Sequence, residues 1–438
     1  MRYLFKCSAA LVLLVCIATK AFGEASLSLD QAIVLAQKND PWISGSHFRE
    51  QASDARSVSA RTLPDPRISL GFANLPVDTF DFGQEPMTQL RIGVSQMFPR
   101  GDTRELQSKK FRELSLEQPY RRQDRLAQVA ASVSRLWLEV YRHREAIRLI
   151  EQDRALFEHL VDVAESSYTS AFGRIRQQDL VRAQLELTRL EDRLTVLQQQ
   201  QDMSRAKLDE WLVGSSNYNF TLSNELPVLG EKNKLLLGAG NVHLIPRLNI
   251  HPAIKAIDQQ VTAATTDVQL AKQKYKSQWG INASYGYRDD DPAGNERSDF
   301  FSAGVTFDVP LFTSNRQDKD VEAAFASTEA LKTDKALALR AMRARLESLL
   351  AHLKRLDERK SLYEERLLNE IHDQAEAALN AYTNDAGDFA EVVRARIAEL
   401  NANIDFLNIN IDRLQTVAEI NYFLAPVGED TIGGMGHE

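Results

Sequence analysis

Phe301-Ser302-Ala303-Gly304-Val305-Thr306-Phe307-Asp308-Val309 alternates an apolar side chain with a small or polar one at every step. In an extended chain successive side chains point to opposite faces, so Phe301, Val305 and Phe307 share one face while Ser302, Gly304 and Thr306 share the other. The same pattern occurs three more times: Ile68, Leu70 and Phe72 against Ser69 and Gly71; Leu90, Ile92 and Val94 against Arg91 and Gly93; Ile281, Ala283 and Tyr285 against Asn282 and Ser284. A segment of about ten residues with one apolar and one polar face suits a tilted strand of an outer-membrane barrel. Aromatic residues near the strand ends, Phe98, Trp279, Tyr287 and Phe300, suit the interfacial girdle of such a barrel. A half-buried sheet in a soluble protein alternates in the same way. The two readings differ in one consequence. Four strands cannot close a barrel in lipid, because about eight is the smallest number and an open edge is not tolerated there, so membrane strands require several copies of the chain.

The strands sit inside an internal repeat with an offset of about 211 residues, far longer than a solenoid unit. Asp40-Pro41 matches His251-Pro252, Gly93-Val94-Ser95 with Pro99 matches Gly304-Val305-Thr306 with Pro310, Val181-Arg182-Ala183 matches Val393-Arg394-Ala395, and Trp211-Leu212 matches Phe423-Leu424. Each half reads helix, strand, loop, strand, long helix, turn, long helix. The divisions follow: 24–212 for the first repeat, 213–249 for a Gly-, Asn-, Ser- and Pro-containing linking segment, 250–424 for the second repeat, and 425–438 for a Gly-rich, mobile tail.

The long helices carry narrow 4-3 seams of the coiled-coil kind. Val129, Val133, Leu136, Val140, Ile147, Ile150, Phe157 and Val161 form one, interrupted by His143 and Arg154. Leu180, Ala183, Leu187, Leu190, Leu194, Leu197, Leu208 and Trp211 form the next. The second half repeats them with Met342, Leu346, Leu349, Leu353, Leu356, Tyr363 and Leu367, then Ile397, Leu400, Ile404, Leu407, Ile411, Leu414 and Ala418. A helix running unbroken from Gly101 to Ala171 would be roughly 100 Å long, which suits a rod or tube.

Residues 1–23 have the layout of a secretory signal peptide: Arg2 and Lys6, the apolar run Ala9 to Ala18, then Ala21-Phe22-Gly23. Its removal takes away both cysteines, Cys7 and Cys16, leaving no thiol nucleophile, disulfide framework or thiolate metal site. Cys16 as a lipid acceptor is the alternative, against which stand the branched residues Leu13-Leu14-Val15. With 53 Lys and Arg against 61 Asp and Glu, the formal net charge is -8, which argues against nucleic acid as a partner. The eight histidines do not cluster at metal-ligand spacing, and Met435 and His437 stand alone in the tail. There is no phosphate-binding glycine loop, dinucleotide fingerprint or zinc-protease motif; Ser204-Arg205-Ala206-Lys207 matches a hydrolase pattern only formally, inside a coiled-coil seam. An enzyme is not expected, nor any cofactor.

Leu27-Ser28-Leu29-Asp30-Gln31-Ala32 followed by Asn39-Asp40-Pro41, Leu63-Pro64-Asp65-Pro66 before the first strand, and Ser95-Gln96-Met97-Phe98-Pro99 with Gly101 leaving the second resemble the outer-membrane efflux protein family, the TolC-like exit ducts. Ser28 is also placed to cap a helix with Gln31 as its third residue, and Pro99 and Pro310 to stop a strand and start a helix. The resemblance implies a mainly α fold with a small β part. A homotrimer would share a 12-stranded barrel in the outer membrane and continue as a periplasmic tube of helical hairpins. Its lipid-facing residues would be Ile68, Leu70, Phe72, Leu90, Ile92, Val94, Ile281, Tyr285, Phe301, Val305 and Phe307. Implied partners are outer-membrane lipid, a periplasmic adaptor and an inner-membrane pump of the RND type. Asn74-Leu75-Pro76-Val77-Asp78 and Gln84-Glu85-Pro86-Met87-Thr88-Gln89 look most like the heavy-metal branch. A drug-efflux or type I secretion duct is the alternative within the fold, and a soluble periplasmic coiled-coil scaffold or adaptor is the alternative outside it.

Family members often place two acids three residues apart just past the second helical turn. The matching region here is Tyr382 to Ala395, where Glu391 holds the first acidic position and Arg394 replaces the second. Three copies of Glu391 would form an anionic ring at a narrow periplasmic entrance, with Arg394 as a latch partner. Asp385 and Asp388 lie on the same turn as further gate candidates.

Overall fold

The computed structural model describes residues 26–169, 177–212, 221–229, 244–384 and 387–425. The signal-peptide reading, Cys16, Asp385, much of the linking segment and nearly all of the tail, including Met435 and His437, lie outside them.

The chain opens with a short strand β1 (Ser26–Leu27), α1 (Leu29–Asn39) and α2 (Pro41–Arg61). Strands β2 (Arg67–Ala73) and β3 (Gln89–Phe98) precede α3 (Thr103–Ser115), α4 (Glu117–Thr169) and α5 (Gln177–Leu212). After β4 (Thr221–Leu222) the order recurs: α6 (Leu244–Asn249), α7 (Pro252–Gln273), β5 (Trp279–Tyr287), β6 (Phe300–Phe307), α8 (Gln317–Leu362), a π turn (Tyr363–Leu367), α9 (Leu368–Thr383) and α10 (Phe389–Phe423).

Local chemistry explains several boundaries. Ser28 and Gln31 form a reciprocal capping box at α1, with Gln31 N–H donating to Ser28 Oγ (3.3 Å) and Ser28 N–H to Gln31 Oε1 (3.0 Å). Pro41 and Pro252 occupy first-turn positions of α2 and α7, where the missing N–H costs nothing. Pro99 and Pro310 do not play that part. They follow the strands, and the helices begin only at Thr103 and Gln317, so these prolines end strand pairing without starting a helix. The expected unbroken helix from Gly101 is interrupted at Leu116, because the ring of Pro119 cannot sit beside the carbonyl of Ser115 in a regular helix. In the second half Ala330 stands where Pro119 would be, and α8 runs through.

The four longer strands form one antiparallel sheet in the order β2-β3-β5-β6, so the halves meet where β3 pairs with β5. At the other end of the first repeat β1 pairs in parallel with β4. Trp137 Nε1–H donates to the Leu27 carbonyl (3.2 Å) and ties this small sheet to α4.

The core is thin and drawn out along the hairpins. One cluster joins α1, α4, α5 and the end of α10 around Trp137, Leu138 and Leu208; a second joins Ile150 and Phe157 of α4 to Leu190, Phe389, Val392 and Leu400; a third joins Leu248 of α6 to Leu346, Leu353 and Ile420. The seam of α4 is wider than the 4-3 pattern. Trp137, Leu138, Tyr141 and Ala146 are buried beside Val133 and Val140, because this part of α4 is packed from more than one side. His143 lies buried on the seam, its Nε2 3.4 Å from Glu139. That contact, with Arg142 and Gln415, holds the Glu139 carboxyl down to about 2 against the opposing effect of burial.

Candidate functional site: a two-faced sheet above helical hairpins

The strand register separates the two faces. Ile68 stands opposite Val94, Leu70 opposite Ile92, and Phe72 opposite Leu90. Ile92 then faces Tyr285, Leu90 faces Tyr287, Phe98 faces Trp279, Tyr285 faces Phe301, Ile281 faces Val305, and Trp279 faces Phe307. Directly opposed residues of an antiparallel pair lie on the same side, so all eleven residues expected on the lipid side share one face. That face is bare: Leu70 is 72% and Phe301 74% exposed. A contiguous apolar surface of this size marks a contact with a partner or a membrane.

The opposite face carries Ser69, Gly93, Ser284 and Ser302 in one cross-strand row and Arg67, Ser95, Asn282 and Gly304 in another. Phe300 departs from expectation. It pairs with Gly286, so it belongs to this polar face, where the Arg288 guanidinium lies 4.4 Å from its ring. Above the sheet the two connecting loops are joined by Arg297, which donates to the carbonyls of Gly83 (3.1 Å) and Glu85 (3.3 Å). Below it Arg100 pairs with Asp308, Lys276 with Asp102 (2.9 Å) and Lys274 with Asp320 (2.8 Å), a charged collar where strands become helices.

At the far end of the second hairpin, Asp388 caps α10 by accepting from Ala390 N–H (3.3 Å). Glu391 and Arg394 pair within one turn of α10, on its exposed side. The structure therefore brings Glu391, Arg394 and Asp388 to the start of one helix, with Asp385 outside the described residues. A stronger cluster lies one to two turns further on and was not signalled in the sequence. Arg396 donates to Glu376 (2.6 Å) and Glu399 (2.8 Å), and His372 Nδ1 is 2.6 Å from Glu399. The hydrogen bond to Glu399 raises the His372 pKa, and Arg396 lowers that of Glu376. His372 and Glu376 lie on α9 and Arg396 and Glu399 on α10, so the facing of the two helices brings the pairs together.

Among the described residues no group of three or more His, Cys, Asp or Glu is placed to hold a metal ion. No helix among them is long and apolar enough to cross a membrane. Among the described residues this leaves a four-stranded sheet with an exposed apolar face and unpaired edge strands, joined to long helical hairpins.

Comparisons with known proteins agree. Residues 247–424 match the family described as outer membrane efflux protein. The fold of the whole chain is that of outer-membrane channels. It is similar to CusC (TM-score 0.74, 13% identity, 92% of this chain and 93% of that one). It is similar to the outer-membrane channel OprN (0.75, 14%, 91% and 90%). It is also similar to the CmeC channel of Campylobacter jejuni (0.72, 14%, 92% and 87%). Comparison with curated proteins gives no match.

Proposed function

We propose that three copies of this chain close a 12-stranded barrel and form the passive exit duct of a tripartite efflux system, with a periplasmic adaptor and an RND-type inner-membrane pump as partners. The observation that carries this reading is the open four-stranded sheet. Its apolar face is exposed, and its edge strands β2 and β6 have no partner among the described residues. An open edge in lipid leaves backbone groups unsatisfied at several kcal/mol each, so β2 of one copy pairs with β6 of the next until the ring closes. Cysteines scanned along β2 and β6 will then cross-link copies into a covalent trimer in detergent. A monodisperse monomer that stays in solution without detergent defeats the proposal.

For the cargo we propose heavy metals. The support is the sequence of the first external loop, Asn74 to Asp78 and Gln84 to Gln89, which resembles the heavy-metal branch. Deleting the gene should sensitise the cell to metal salts and not to lipophilic drugs.

A further inference from the structure

Apart from tyrosines, the four sheet strands hold two ionisable side chains, and both are arginines on the polar face. Arg67 shares its row with Ser95, Asn282 and Gly304; Arg91 shares its row with Gly71, Gly286 and Phe300. No Asp or Glu stands on either face of these strands. Both arginines are exposed, and neither makes an ion pair or hydrogen bond among the described residues. Arg100 and Arg297, just beyond the strands, are engaged by Asp308 and by loop carbonyls. The residues opposite Arg91 are glycines: a Cβ built at Gly71 would meet nothing within 4 Å, whereas the space beside Gly286 is taken by the Gln89 side chain.

A charged side chain at membrane depth persists where it faces water, and such residues mark solute pathways. Rings of arginine in a pore favour anions. Twelve strands about 4.8 Å apart and tilted about 40° enclose a bore with a radius of roughly 12 Å at the backbone. The Debye length is about 10 Å at 0.1 M salt, so wall charges act across most of that bore. Arg91 lies opposite Gly71, four residues along from Arg67, which sets the two rings about 13 Å apart along the strand. Three copies give two successive rings of three arginines with no acid between them. The acids Asp289, Asp290 and Asp291 lie in the β5–β6 loop, outside the strands.

We propose that Arg67 and Arg91 make the membrane section of this duct anion-selective, so that cargo leaves it in anionic form and a metal leaves as an anionic complex, not as a bare cation. This rests on the duct reading, which puts the polar face toward the bore.

The test is the reversal potential of the full-length trimer in a planar bilayer under a KCl gradient. The wild type should favour chloride over potassium several-fold near 0.1 M and lose most of that preference near 1 M, where the Debye length is about 3 Å. Arg67→Gln with Arg91→Gln should bring the ratio close to one, and Arg91→Glu should turn it toward potassium. Trimers resistant to SDS before heating show that each variant has assembled. Cation preference in the wild type, or an unchanged ratio in the assembled Gln variant, overturns the proposal while leaving the duct intact. Assembled trimers that conduct nothing overturn the duct reading itself, and this inference with it.

Discussion

Asp40 and His251 hold the same place in the two halves and cap their helices with different chemistry. Asp40 Oδ1 accepts from Trp42 N–H (3.0 Å), and His251 Nδ1 accepts from Ala253 N–H (3.2 Å), each just before the proline that starts the helix. Asp40 is also held by Arg125, its Oδ2 2.6 Å from Nε. His251 Nε2–H donates to the Tyr422 carbonyl (2.9 Å), and Tyr422 O–H donates to Asp124 (2.9 Å). With one ring nitrogen accepting and the other donating, the imidazole is neutral.

This arrangement makes stability depend on pH. Burial, outweighing the Tyr422 bond and the nearby Asp124 charge, lowers the His251 pKa below its usual 6.5. The unfolded chain then takes up a proton before the folded one does. The His251 contribution is complete above about pH 6.5 and is lost as pH falls through the folded value. Burial raises the Asp124 pKa, an effect of opposite sign that is relieved on acidification. A comparison with His251→Asn isolates the histidine, since asparagine caps a helix without titrating. Thermal midpoints of the trimer should fall between pH 7.5 and 5.5 in the wild type by more than in the variant. His251→Ala should cost about 1 kcal/mol at neutral pH through loss of the cap.

The two sheet faces predict opposite tolerance to charge. Arg in place of Leu70 or Val305 should cost roughly 2 to 4 kcal/mol per site near the bilayer midplane. Arg in place of Ser69 or Thr306, on the face already carrying Arg67 and Arg91, should leave assembly unchanged. Yields of heat-modifiable trimer and urea titrations of folding into lipid measure both. Equal losses at all four sites contradict the assignment of faces.

Residue periodicity made the strands legible, because a period of two read in duplicate fixes which side chains travel together, and the observed register keeps that grouping from Ile68 to Phe307. Phe300 escaped it, since position along a strand says nothing of face until the pairing with Gly286 is known. The helical seams were legible as rows but not as widths. Trp137 and Tyr141 fall off the 4-3 rows and are buried because α1 and α10 also close on α4. The Arg396 cluster joins His372 and Glu376 of α9 to Arg396 and Glu399 of α10, and spacing within one helix carries no signal for the contacts between the two.

Trp137 should matter more than its place off the seam suggests. It is fully buried, stacks on Tyr141 at 5.6 Å and donates to Leu27 of β1. Trp137→Ala removes that volume and leaves the Leu27 carbonyl without this donor, a cost of about 3 to 5 kcal/mol. Trp137→Phe keeps most of the packing and should recover the larger part of it. Denaturant unfolding of the detergent-solubilised trimer will rank the two.

Glu391 and Arg394 are proposed to act at the periplasmic entrance, and their observed pairing defines what reversal should do. Both are exposed, and an exposed pair of this kind is worth under about 1 kcal/mol, so Arg394→Glu should leave folding and trimer yield intact. Phe389, Val392 and Val393, buried on the other side of the same turn, keep the helix seated when the pair is lost. Reversal removes the partner of Glu391 and adds a second acid one turn along, so three copies turn three compensated pairs into six acids, beside the three copies of Asp388. Cations then gather at the mouth, and charge repulsion favours a wider one. Single-channel conductance in a planar bilayer should rise, and cation preference should rise with it. Since the arginines of the barrel lie in series with this mouth and are untouched, combining Arg394→Glu with Arg91→Gln should shift preference further than either change alone. If Arg394→Glu forms normal trimers with unchanged conductance and ion preference, the pair is ordinary surface charge. Asp388→Asn, which keeps a capping side chain at the start of α10 while removing its charge, then tests whether the turn before the helix controls entry instead.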